Sequence, residues 1–153
     1  MPRFCIAHDE VLLTSPPSVV WHSLSALPLY PVWWPLSVTV RVLDHSPAVV
    51  GSLIEITPRS GMRSVCRVTR LEHGEALHME YISGPCIGGA VWRVTPEGSG
   101  TRLSFAVDLR INNRLVALLS YITSIPSLHS RLVREVFEGL RAHLARQPGP
   151  SLF

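Results

Sequence analysis

Seven histidines, three cysteines and scattered carboxylates are the groups in this 153-residue chain that could carry chemistry. Their spacing argues against most of it. His8, His22, His45, His73, His78, His129 and His143 form no H-E-x-x-H pair and no Cys/His set with zinc-ligand spacing. The local pattern puts His22, His129 and His143 on helices as surface residues. It puts His73 in a hairpin turn and His78 on the polar side of a strand. Cys5, Cys66 and Cys86 are odd in number and unpaired in spacing. Cys86 lies in S-G-P-C-I-G-G with no base nearby in sequence to activate it. That stretch reads as a turn between strands, and no helix follows to offer a phosphate its N-terminus. There is no G-x-S-x-G elbow, phosphate loop or dinucleotide fingerprint. The expectation is no metal and no cofactor.

What remains is aromatic and apolar. Tyr30, Trp33 and Trp34 crowd into Y-P-V-W-W-P. Period-2 alternation places Leu77, Met79 and Tyr81 on one face of a strand, with Trp92 and Val94, then Leu103, Phe105, Val107 and Leu109, on the same face of the next two. Such residues either fill a core or wall a ligand pocket, and Tyr30, Trp33, Trp34, Tyr81, Trp92 and Phe105 are the candidate contacts. A pocket of this kind needs only a few polar groups to orient its ligand. Glu55 and Arg67, on neighbouring strand candidates, are the candidates for that role. The alternative for both is a solvent-facing salt bridge, because Glu55 alternates with Ile54 and Ile56.

The elements that position these residues follow from periodicity. A strand over Phe4 to Leu13 ends at T-S-P-P, where Ser15 can cap a helix with Pro16 in its first turn. That helix carries Val19, Val20, Trp21 and Leu24. The proline-rich segment up to Pro35 reads as a short helical turn or loop. From Ser37 the period becomes two, with strands expected through Val42, then over Ser52 to Thr57, Arg63 to Leu71, Ala76 to Ser83, Ala90 to Thr95 and Thr101 to Leu109. The connections are too short for crossover helices, so the sheet is expected to be an antiparallel meander. A helix over Ser127 to Arg146 shows Leu128, Leu132, Val136, Phe137, Leu140 and Leu144 on one face. Arg131 with Glu135, and Arg134 with Glu138, are spaced for pairing on the other. A strongly bent sheet cannot press its whole face on one helix, which leaves a gap between them.

Composition agrees with a greasy interior. Hydrophobic residues make up 46% of the chain and charged ones 16%. The net charge of +3 comes from 14 arginines and no lysine. They are spread from Arg3 to Arg146, several within alternating strands, so no basic stripe for nucleic acid is expected. The opening residues do not read as a leader, which with the unpaired cysteines favours a cytoplasmic protein. The stretch from Leu115 to Ile125 is apolar but shorter than the roughly 20 residues of a membrane span. It can bury against the sheet, cover a cavity, or touch a membrane surface peripherally.

Taken in order, S-P-P-S-V-V-W at 15–21, Y-P-V-W-W-P at 30–35, V-G-S-L-I-E-I at 50–56, G-P-C-I-G-G-A-V-W at 84–92 and G-T-R-L-S-F at 100–105 resemble the START and Bet v 1-like (SRPBCC) superfamily, in its polyketide cyclase/dehydrase-like branch. The resemblance spans nearly the whole chain. It implies one domain over 1–153 with an α+β helix-grip fold: a curved antiparallel sheet of about seven strands around a long C-terminal helix, with a hydrophobic cavity between. It places the Tyr30 to Pro35 segment near the cavity mouth. It implies no single activity, because the family holds lipid carriers, metabolite binders and aromatic cyclases. The expected function is binding or transport of a small hydrophobic ligand such as a lipid, isoprenoid or aromatic polyketide. The alternatives are a cyclase or dehydratase using the same cavity, and a module that docks on a membrane or partner.

Overall fold

The computed structural model describes residues 4–147. Strand β1 (Phe4–Leu13) leads into helix α1 (Pro17–Ser25), a 3-10 turn (Leu27–Leu29) and the short helix α2 (Tyr30–Trp33). Six strands follow: β2 (Val38–Asp44), β3 (Leu53–Pro58), β4 (Ser64–Glu72), β5 (Ala76–Ser83), β6 (Cys86–Glu97) and β7 (Gly100–Ile111). Helices α3 (Arg114–Leu119) and α4 (Ile125–Arg146) close the chain. The strands form one antiparallel sheet in the order β1-β7-β6-β5-β4-β3-β2. Strands β2 to β7 are the expected meander, and β1 adds to the far edge beside β7.

Local chemistry explains the ends of the elements, and several differ from the sequence reading. Ser15 is not a cap: α1 starts at Pro17, and the residue before it, Pro16, has no side chain able to accept from the first turn. Pro17 loses little there, since an N–H in the first helical position has no intrahelical acceptor. Helix α4 begins two residues earlier than periodicity indicates. The Ser124 hydroxyl accepts from the Ser127 N–H at 3.3 Å, and Pro126 fits the first turn. In α3 the Asn113 side chain caps Val116 N–H at 3.0 Å.

The largest difference is β6. Ile87, Gly88 and Gly89, expected in a turn, are strand, and only Gly84 and Pro85 separate β5 from β6. Gly88 has φ +143, and a Cβ there would collide with the Asp108 carbonyl oxygen on β7. A glycine therefore lets two strands approach closely where a side chain would hold them apart.

Inward positions run in rows across the sheet. One row reads Cys5, Leu109, Gly88, Tyr81, Cys66, Ile54 and Val42, the next Ala7, Val107, Ala90, Met79 and Val68, and the one after it Asp9, Phe105, Trp92, Leu77 and Leu71. Helix α4 lies against this face with Val133, Val136, Phe137, Leu140 and Leu144 buried. Each such side chain contributes at most roughly 1.5–3 kcal/mol. Leu128, expected on the same face, is exposed, and Leu132 is half-buried. The i,i+4 pairs do not form among the described residues. Glu135 instead accepts from the Ser37 hydroxyl at 2.6 Å, and Glu138 pairs with Arg141 at 2.7 Å. Long-range and i,i+3 partners have replaced them.

Gly139 sets how α4 meets α2. A Cβ at this position would sit 2.5 Å from the Trp33 carbonyl oxygen. Only glycine lets the helix come this close, so α4 fixes the backbone of the segment that carries both adjacent tryptophans.

Candidate ligand pocket

Between the sheet and α4 lies a pocket walled by Ile56 from β3, Met79 and Tyr81 from β5, Trp92 from β6 and Phe105 from β7. His129, Leu132, Val133 and Val136 of α4 close it from the other side, and Trp34 completes the wall. Its free volume is only about 30 Å³. That is the share of one water in the liquid, against the roughly 300–1,000 Å³ of an open ligand site. The gap forced by a bent sheet on one helix is thus occupied by the side chains around it. The filling is aromatic: Trp92 lies 4.3 Å from Phe105 and 6.0 Å from Phe137, centroid to centroid, and the His129 ring stacks on Phe105 at 6.0 Å.

The sequence candidates separate into three groups. Trp34, Tyr81, Trp92 and Phe105 line this pocket. Tyr30 and Trp33 are core residues behind it, exposed by 0% and 2%. The Tyr30 hydroxyl donates to the Leu24 carbonyl, and its ring stacks on Trp34 at 5.5 Å and meets Trp33 edge-on at 5.2 Å. Tyr30 and Trp33 are the support on which Trp34 rests. Glu55 and Arg67 face the other way. The Glu55 carboxylate pairs with Arg41 at 3.5 Å and Arg63 at 3.4 Å on the outer face of the sheet, and Arg67, in register with Leu53 and Glu80, is exposed. Strict alternation with the inward Ile54, Ile56, Cys66 and Val68 turns both away from the pocket; Glu55 is ion-paired but buried beneath its arginines, not solvent-facing, and neither residue lines the pocket.

One pocket residue departs from the sequence reading. The helical pattern places His129 on the surface, yet it lines the pocket with its Nδ1 buried and unpartnered. Its spacing from Leu132, Val133 and Val136 at i+3, i+4 and i+7 is the signal that could have found it. Beside it, Ser130 donates to Asp9 Oδ2 at 2.8 Å, tying α4 to the inward face of β1. Burial lowers the His129 pKa, and the Asp9 charge only partly opposes this. The imidazole is therefore held neutral. His78, by contrast, sits on the outer face as expected, 2.8 Å from Glu72.

The register gathers the three cysteines toward Tyr81. Cys66 is directly across from it, and Cys5 and Cys86 lie near enough to act on it electrostatically. Burial pushes the Cys5 and Cys66 thiols up to about 12 and raises Cys86 as well. Part of Tyr81 reaches the surface, but its phenol is pushed well above the ordinary tyrosine range, by burial first and these thiols second. All four groups are protonated at neutral pH and poor nucleophiles. No group of histidine, cysteine and carboxylate side chains suited to a metal occurs among the described residues.

Helix α3 buries only Val116, while Leu115, Leu118, Leu119, Tyr121 and Ile122 are exposed. Of the three roles open to this stretch, burial against the sheet is not the one it takes. No helix among the described residues is long and apolar enough to cross a membrane.

A seven-stranded antiparallel sheet closed by a long C-terminal helix over an apolar pocket is the helix-grip architecture. Solved structures share it. A protein of Thermus thermophilus superposes with a TM-score of 0.76 at 16% identity, covering 93% of this chain and 99% of its own. A START superfamily protein of Mycobacterium smegmatis gives 0.69 at 12%, covering 92% and 97%. Norcoclaurine synthase of Thalictrum flavum, in complex with dopamine and hydroxybenzaldehyde, gives 0.69 at 10%, covering 97% and 91%. At these identities the likeness is one of fold. No curated protein matches the sequence. The model of one family, polyketide cyclase/dehydrase and lipid transport, matches residues 6–145, and the chain belongs to that family.

The depressed His129 pKa has a consequence for stability. An unfolded histidine titrates near ~6.5, and folded His129 below that. Between the two values the unfolded chain holds a proton that the folded chain lacks, so stability falls as pH drops through this window and is complete above it. Tm should therefore decrease from pH 7.5 to pH 5, and His129→Gln should flatten part of the slope. His143, also lowered, accounts for some of what remains. An unchanged slope in the variant would show that His129 is not held neutral.

Proposed function

We propose that residues 1–153 act as one domain that binds a small hydrophobic molecule in the pocket between the sheet and α4, with Trp34 as the movable wall. The observation that carries this reading is the composition of the wall. Five strand and helix elements converge their apolar and aromatic side chains on one place, and the family is one of cyclases, dehydrases and lipid carriers. The small free volume requires a wall residue to move when ligand enters. Trp34 is the candidate because it is only half-buried, follows the last residue of a four-residue helix and precedes Pro35. Trp92 and Phe105, both buried on central strands, are fixed by comparison. The three free thiols suit a reducing, cytoplasmic setting.

Catalysis is the second reading, and one observation favours it. His129 is a neutral imidazole in an apolar wall with one nitrogen unpartnered, the state in which a histidine serves as a general base. The exposed apolar residues of α3 and the segment after it directly precede α4, whose first turns carry His129. This surface is where we place contact with a lipid aggregate during loading.

Titration with the neutral fluorescent probe N-phenyl-1-naphthylamine should saturate at one site, and Trp34→Ala should associate faster. No saturable binding to either protein would remove the pocket reading. If the protein is an enzyme, His129→Gln should keep probe binding while losing turnover by at least roughly 100-fold, the usual scale of an acid–base group. Turnover that survives the change excludes His129 as the base. Co-sedimentation with liposomes should drop when Leu118 and Leu119 are both changed to Ser, and the membrane role fails if it is absent or unaltered.

A further inference from the structure

Four buried side-chain nitrogens have no hydrogen-bond partner among the described residues: Trp33 Nε1, Trp34 Nε1, Trp92 Nε1 and His129 Nδ1. Three of them belong to pocket-lining residues. Buried polar groups are ordinarily satisfied, and a cluster of exceptions around one space needs a cause. Trp33 apart, the other buried side-chain polar groups among the described residues obey the rule. The buried Tyr30 hydroxyl reaches Leu24, the Thr101 hydroxyl donates to Ser15, and Ser52 accepts from the Ser46 N–H.

The chemistry of the exceptions is specific. An indole N–H only donates, so Trp34 and Trp92 call for an acceptor, whereas the imidazole nitrogen can take either role. The remaining wall is Ile56, Met79, Phe105, Leu132, Val133 and Val136 with Tyr81, whose phenol could accept but is bonded to none of these nitrogens. No arginine lines the pocket, and the nearby charge is Asp9, which acts electrostatically on His129. A carboxylate entering here meets a like charge and no counter-charge. A hydrocarbon meets apolar walls but leaves the donors unpaired.

Resting on the ligand-pocket reading above, we propose that the pocket takes a neutral ring compound bearing a carbonyl or ether oxygen, whose hydrogen bonds come from the indole N–H groups of Trp34 and Trp92 beside His129. The flat part of the ligand packs among the rings of Trp92 and Phe105. Fatty acids and plain hydrocarbons of the same size are selected against, the first by charge and the second by the unpaired donors.

Three probes of one skeleton separate these cases on the full chain at pH 7.5: 1-indanone, indane and indane-1-carboxylate. The four tryptophans give indole N–H signals in 1H–15N spectra that Trp→Phe variants assign. 1-Indanone should bind about 3- to 10-fold more tightly than indane, the range of one net hydrogen bond, and the carboxylate more weakly than both. With 1-indanone the Trp34 and Trp92 indole protons should move downfield while Trp21 stays in place, and Trp92→Phe should reduce the preference over indane. Equal binding of indanone and indane, tightest binding of the carboxylate, or unmoved Trp34 and Trp92 indole signals would each overturn the polar selection and leave the pocket reading standing. If neither neutral compound binds, both fail. The comparison on the unaltered protein decides the matter even where Trp92→Phe does not fold.

Discussion

One helix cannot cover seven strands. At 4.7–4.9 Å per strand the sheet is about 29 Å across, while a helix with its side chains is about 10–12 Å wide. The concave face must be covered by something besides α4, and the rest of the structure follows from how that is done. Helix α1 packs with Val20, Trp21 and Leu24 buried over one part, against β6 and β7. The Tyr30–Trp34 segment covers another. What is left over is filled by the large rings of Trp92, Phe105 and Phe137 and by Trp34. The pocket is the remainder of this filling, which explains why it is aromatic and why it is small.

Two close backbone approaches hold the arrangement in place. Gly88 lets β6 and β7 come together within the sheet, and Gly139 lets α4 press on the Trp33 carbonyl. The second matters for function because it couples the helix to the base of the Trp34 wall. Tyr30, fully buried and bonded to Leu24, is the other half of that mount. The segment is therefore anchored at Tyr30 and Trp33, and Trp34, stacked on Tyr30, lines the pocket.

The interior also carries a polar cost. An unsatisfied buried donor costs about 1–3 kcal/mol, and such groups gather around the pocket, while the outer face satisfies its charges in exposed clusters such as Arg102 with Glu10 and Glu97. Exposed pairs of that kind stabilise little. The unsatisfied nitrogens, although fewer, weigh more heavily, and three of the four belong to residues that line the pocket.

Much of this was legible from the chain. Period-2 alternation and turn residues gave six of the seven strands to within a few residues, and 3.6-residue periodicity gave α4, because local burial patterns follow directly from residue order. The turn at S-G-P-C-I-G-G was misplaced because glycines in a strand look like a turn until a partner strand shows why they are needed. His129 was misjudged for a related reason: a helix has one apolar stripe in sequence, but how far that stripe extends is set by what packs on it. Trp34, Tyr81, Trp92 and Phe105 were found by alternation and aromatic crowding, and the same alternation, with Ile54, Ile56, Cys66 and Val68 inward, already turned Glu55 and Arg67 away from the pocket. Sequence alone determined which residues are apolar, how they alternate and where the chain must turn, since those depend on neighbours along the backbone. Only the tertiary structure decided that Trp33 supports and Trp34 lines, that three distant cysteines approach one tyrosine, and that three nitrogens around one small space lack partners. Those outcomes depend on which strands and helices meet, and that is settled by packing across the sheet and not by order along it.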